Sequence, residues 1–190
     1  MARAYTMTRR AAQQAETRLR IVEAAIALHG EMGPAQTSLS QVAERAAVQR
    51  HTLYAHFPDE RSLLLACSGL HLERNPLPDP ENWNAIAGAA ARLKTGLAAL
   101  YRWYDANADL AGCVLRDAEF HEPTREVVAL RIGPHLLACR RVLCEGLTER
   151  QSAVLDAAMG FATWRSLARR SCLDSDTAAD VMTKAVVANS

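Results

Sequence analysis

The chain has 190 residues, 49% of them hydrophobic, with 22 Lys and Arg against 21 Asp and Glu. This length suits one compact domain or a small head on a larger body, and the apolar fraction excludes a disordered chain. No stretch reaches the roughly 18 uncharged apolar residues of a membrane span, and the charged N-terminus lacks the apolar segment of a secretory leader. Abundant alanine and scarce aromatics, without β-branched runs between turns, predict an all-α protein. The five cysteines are scattered, with no CxxC spacing, and read as reduced thiols of a cytoplasmic protein. Charge is uneven: residues 1–57 hold seven arginines against four glutamates, and the remainder holds 15 basic and 17 acidic residues. A positive N-terminal part is what contact with phosphate requires.

Residues 1–10 read as a flexible basic arm. A first helix is expected from about Ala11 to His29, with Leu19, Val22, Ala25 and Ile26 on one face. Gly30 and Gly33-Pro34 end it. Ser38 followed by Gln41 is a capping-box pattern that starts a second, short helix, with Leu39, Val42, Ala43 and Ala46 facing inward. Ala47-Val48 forms the turn. A third helix follows over about Arg50 to His56, anchored by Leu53 and Phe57. Pro58 stops it, and Asp59-Glu60 begin a fourth that runs to about Glu73. The proline-rich stretch Asn75–Pro80 is the boundary. Five further helical stretches are expected beyond it, at about 82–105, 108–119, 123–146, 149–171 and 175–188, for about nine helices in all. Gly133-Pro134 should kink or split the third of these, and Asp174 or Ser175 should cap the last.

Two short helices joined by a tight turn, preceded by a third, form a DNA-reading helix-turn-helix over residues 11–57. The second of the pair must be polar outward to enter a major groove and apolar inward to be held at a fixed angle. Residues 49–57 fit. Gln49, Arg50, His51 and Thr52 are polar at its N-terminal end, while Leu53 and Phe57 face in.

These residues resemble the TetR family of bacterial repressors. The matching string is Arg20-Ile-Val-x-Ala-Ala to Gly33, then Thr37-Ser-Leu-x-x-Val-Ala-x-x-Ala-x-Val48, then Thr52-Leu-Tyr-x-His-Phe57 and Leu63. It covers about residues 18–65, a quarter of the chain. The resemblance implies phosphate contacts from Thr37, Ser38, Arg50, Tyr54 and His56, and base-edge contacts from Gln49, His51 and Thr52. The chain departs from the family at three places: Ala47 stands where a glycine is usual, His29 where an aromatic is usual, and Glu60 where a lysine is usual, with Arg61 beside it as a substitute phosphate contact. A left-handed Ala47 costs about 1 kcal/mol or more.

Residues 58–74 are then a connecting helix, and 75–190 an effector-binding and dimerisation domain. Trp103, Tyr104, Phe120 and His121 are the candidates for an effector pocket, each also readable as plain core. The small-residue run Ala157-Ala158-x-Gly160-x-Ala162, with the stripe Ala178, Val181, Met182 and Ala185, suits a two-fold helical interface. Its candidate residues are Ala158, Phe161, Ala162, Val181, Met182 and Ala185. His135 and Cys139 lie four apart but lack a third ligand, so no metal or other cofactor is expected. No nucleophile–base pair, carboxylate pair or phosphate loop supports an enzyme. The expectation is a homodimeric repressor that binds a palindromic double-stranded operator and leaves it when a small-molecule effector binds. The alternatives are a helical enzyme or cofactor carrier, and an adaptor that has lost DNA binding. Ala47 and Glu60 speak for the adaptor, and the intact Thr52–Phe57 string speaks against it.

Overall fold

A computed structural model describes the backbone of residues 2–189 and the side chains of residues 9–189. Among the described residues it is all helical, with eleven α-helices and short 3-10 and π segments. They are α1 (Ala2–Glu31), α2 (Leu39–Arg45), α3 (Arg50–His56), α4 (Glu60–Arg74), α5 (Ala89–Ala106), α6 (Ala108–Asp117), α7 (Glu122–Arg131), α8 (Gly133–Leu143), α9 (Glu149–Ala158), α10 (Phe161–Arg165) and α11 (Ser175–Val187). The helix that starts the chain takes in the backbone of 2–10, in place of the expected arm; no glycine or proline interrupts it before Gly30. Met1, and the side chains through residue 8, lie outside the described residues.

The count exceeds nine for two reasons. Ile132 and Gly133-Pro134 separate α7 from α8, because proline lacks an amide proton and fits only a first helical turn. The stretch 149–171, expected as one helix, breaks at Met159-Gly160, where Gly160 adopts an extended conformation (φ −70°, ψ 137°). The chain then resumes as α10 and a π-helical turn over Ser166–Arg170. Residues 82–88 are also not part of the fifth expected helix: a 3-10 turn spans Pro80–Trp83, and α5 starts only after Gly88.

The chain divides into two compact units, one formed by residues 1–75 and 109–131 and the other by 76–108 and 132–190. In the first, Ile21, Val22 and Ala25 of α1 pack with Val42 of α2, Leu53 of α3 and Leu63 of α4. The α6 and α7 helices complete this unit, with α7 against α4.

In the second unit, α5 and α11 form the most extensive helix pair. The core gathers Leu93, Leu97, Tyr101, Leu143, Leu155 and Trp164, all fully buried. At the break after α9, Ala157 O keeps only a short-range bond from Gly160 N–H (3.2 Å), and side-chain hydroxyls donate to it and to the next two carbonyls. The Thr163 hydroxyl donates to Ala157 O (2.6 Å), the Tyr101 hydroxyl to Ala158 O (2.7 Å) and the Tyr104 hydroxyl to Met159 O (2.8 Å).

The turn between α2 and α3 is a Schellman motif. Val48 N–H donates to Ala43 O and Ala47 N–H to Glu44 O, both at 3.0 Å. This geometry puts Ala47 in the left-handed region, φ 53°. The turn therefore keeps a glycine-type conformation and bears the strain, rather than reshaping around alanine.

His29 is 5% exposed in the first unit. Burial disfavours its charged form and brings its pKa down from 6.5 to about 4, and the nearby Asp117 offsets only part of this.

Replacing Ala47 with glycine relieves a left-handed cost of about 1–2 kcal/mol against about 0.5–1 kcal/mol of added backbone entropy. A47G should therefore raise the melting temperature by about 2 °C; a lowered one would show that the turn is unstrained. For His29, the pH dependence follows from its depressed folded pKa. Above pH 6.5 the ring is neutral in both states and its contribution is complete. As pH falls from 6.5 toward 4, the unfolded chain takes up a proton that the folded one refuses, so stability is lost at about 1.4 kcal/mol per pH unit. Urea unfolding at about pH 7 and about pH 5 should show this loss in wild type and not in H29L. Equal losses in both would show that other groups carry the acid sensitivity.

Candidate nucleic-acid interface

The α3 helix is short, and its two faces differ. Leu53 is fully buried and Phe57 1% exposed, one turn apart, against α1 and α2. The Arg18 guanidinium of α1 lies 4.8 Å over the Phe57 ring and holds the end of α3 through a cation–π contact. Gln49, Arg50, His51 and Tyr54 are exposed on the other side, Tyr54 by half, and Thr52 and His56 are half-buried. Of the sequence-derived candidates on this helix, His51, Thr52 and His56 line one surface.

That surface continues onto α1. Arg10, Gln13, Gln14 and Thr17 line one groove together with His51, Thr52, Ala55 and His56. Gln13, Gln14 and Thr17 are not apparent as site residues from the sequence. They sit on the polar side of a helix whose pattern shows only its buried face, and the only signal is their spacing at 13, 14 and 17 on one side of α1.

At the start of α2, the capping box is fully formed. Gln41 N–H donates to Ser38 Oγ (3.2 Å), while Ser38 N–H and its hydroxyl both donate to Gln41 Oε1 (2.8 Å each). The hydroxyl of Thr37 donates to Gly33 O (2.8 Å). A phosphate oxygen would therefore compete for hydroxyl protons that the loop and the Gln41 amide already hold.

At the start of α4, Asp59 caps the helix by accepting from Ser62 N–H (2.7 Å). Arg61 pairs with Glu126 of α7 (3.0 Å), and Glu60 lies 3.5 Å from His121 Nε2. The departure at Glu60 is thus met by neighbours in the same unit, and Arg61 must give up Glu126 to serve a phosphate.

The four effector candidates fall in different units. Trp103 and Tyr104 are neighbours on α5, ring centroids 5.9 Å apart, with Tyr104 also edge-on to Phe161 at 5.4 Å. Phe120 and His121 belong to the first unit. Phe120 is 65% exposed, and His121 Nδ1 bonds Thr124 Oγ1 (2.8 Å). Of the dimer candidates, Ala158 is fully buried in its own unit, while Ala162 and Val181 are exposed and Phe161, Met182 and Ala185 half-buried. The small-residue run does not lie on one helix face, because the break at Met159-Gly160 divides it between α9 and α10. His135 Nε2 donates to Pro78 O (2.8 Å), and burial pushes the Cys139 thiol up to about 11, so neither is presented as a ligand. Among the described residues, no group of three or more His, Cys, Asp or Glu could hold a metal ion, and no helix is long and apolar enough to cross a membrane.

Comparison with known proteins agrees with this arrangement. Residues 21–67 match the profile of the bacterial regulatory proteins of the tetR family. No curated protein matches the chain. Solved structures share the fold. The transcriptional regulator FadR from Bacillus subtilis, in complex with stearoyl-CoA, aligns at TM-score 0.65 and 18% identity over 90% of this chain and 98% of its own. The TetR family regulator PfmR from Thermus thermophilus aligns at 0.62 and 20%, over 90% and 98%. The fatty acid degradation regulator FadR from Bacillus halodurans aligns at 0.65 and 17%, over 90% and 94%. Residues 21–67 thus resemble the tetR family profile, and over 90% of its length the chain shares the fold of these solved structures.

S38A removes one side of the capping box and should cost about 1 kcal/mol in urea unfolding. No loss would mean that Gln41 alone holds the start of α2.

Proposed function

We propose that the chain is a ligand-responsive transcriptional repressor that works as a homodimer. The observation that carries this is the α3 surface: a buried Leu53–Phe57 edge fixes the helix while Gln49, Arg50, His51 and Tyr54 stay exposed on its other side. In this reading α3 enters the major groove. Gln49, His51 and Thr52 meet base edges, and Arg50, Tyr54 and His56 contact phosphates, supported by Thr37, Ser38 and Arg61. Two copies place their recognition helices about 34–36 Å apart on a near-palindromic operator. Val181, Met182 and Ala185 of α11, with Phe161 and Ala162 of α10, supply the dimer contact.

The effector binds among the helices after Asn75 and favours a state whose recognition helices no longer match the operator. The stearoyl-CoA complex of the Bacillus subtilis regulator supports a small-molecule effector here.

The test is binding of the purified protein to a labelled duplex from beside its own gene, or to one selected from a random-sequence pool, against unrelated DNA across a salt series. Selective binding with a steep salt slope is expected. Equal, weak binding to both would support the adaptor reading instead. R50A should weaken binding to every sequence and reduce the salt slope by about one. Y54F should cost about tenfold, the value of one hydrogen bond to a charged group. Unchanged affinity and slope in both variants would remove this helix from the DNA contact.

A further inference from the structure

The loop between α1 and α2 sets where the DNA-reading pair begins, and the side chains that hold it come from outside the head. Asp117, the last residue of α6, is fully buried. Its Oδ2 accepts from Ala35 N–H (2.9 Å) and its Oδ1 from Arg116 Nε (2.8 Å). The other arm of the Arg116 guanidinium donates to Met32 O (2.9 Å), and the Cys113 thiol, one turn earlier, lies 3.4 Å from Gly30 O. The end of α6 thus supplies an acceptor to one part-buried amide and donors to two carbonyls left over where α1 stops.

Gly33 is shaped by the same contact. It has φ 97°, and a Cβ there would run into the Asp117 carboxylate and the Arg116 guanidinium. Ala35 in turn leads within three residues to the Ser38 cap of α2, and the Schellman turn carries the position of α2 to α3.

We infer that Asp117 and Arg116 form a positioning pair for DNA recognition, acting through the Gly30–Ala35 loop on α2 and α3. This deepens the DNA-binding reading and rests on it. Neither residue touches DNA. The pair fixes the angle at which Arg50 and its neighbours are offered.

The experiment uses the full chain and a duplex selected from a random-sequence pool by the wild-type protein. D117N keeps an acceptor for Ala35 but loses the charge pair, and R116Q removes the clamp on Met32. V127A, a core truncation on α7 in the same unit, reports the effect of lost stability alone. At a temperature where every variant is folded by circular dichroism, D117N and R116Q should lose at least tenfold in affinity for the selected duplex and much less for unrelated DNA. V127A should keep wild-type affinity. In the D117N background, R50A should cost less than it does alone, because the contact it removes is already misplaced. Wild-type affinity in D117N and R116Q, or strict additivity of D117N with R50A, would overturn the positioning role. If D117N does not fold, R116Q and its cycle with R50A decide the question on the same terms. Failure of the wild-type protein to select any duplex would overturn the DNA-binding reading itself, a different outcome.

Discussion

A carboxyl group excluded from water is stable only where each of its oxygens finds a donor, and Asp117 meets that constraint at the point where α1 ends. Much of the first unit follows from it. The amide of Ala35 must face α6, Gly33 must lack a side chain, and Arg116 must turn toward Met32. His29 sits in the same corner as a neutral ring, directly before Gly30, whose carbonyl the Cys113 thiol meets. The helix-turn-helix is in this sense not closed by its own residues. At the end of α9 in the second unit hydroxyls donate to freed carbonyls, as Arg116 and Cys113 do at the end of α1.

How much of this is legible in the sequence depends on the range of the interaction. The Ser38–Gln41 capping box, the inward Leu53 and Phe57, and the acidic start of α4 are local patterns of one turn, and the structure has them all. The separation of α7 from α8 is readable from proline chemistry. The break at Gly160 is not, because a single glycine costs a helix only about 1 kcal/mol. It takes Tyr101 and Tyr104, more than fifty residues away, to stabilise the freed carbonyls. For the same reason Tyr104 reads as a pocket residue in sequence, while its hydroxyl serves the fold. The Asp117–Ala35 bond spans 82 residues and has no sequence pattern at all.

The departures from the family string carry information of their own. Alanine at position 47 does not abolish the left-handed turn; it makes the turn a strained one. Glutamate at position 60 lies 3.5 Å from His121 Nε2, while Arg61 beside it is held by Glu126. These exposed pairs add little stability. They do set the electrostatic state of the α4 start when no polyanion is near.

The chain passes between its two units three times, after residues 75, 108 and 131. The head is therefore not a module that a cut after α4 could release. A fragment ending at Asn75 would lack both α7, which packs on α4, and the α6 end that completes the α1–α2 loop. Chimaeras that transplant only the first 75 residues onto another body would inherit foreign partners for Gly33 and Ala35. A swap that respects the fold must carry residues 1–75 and the segment 109–131 together.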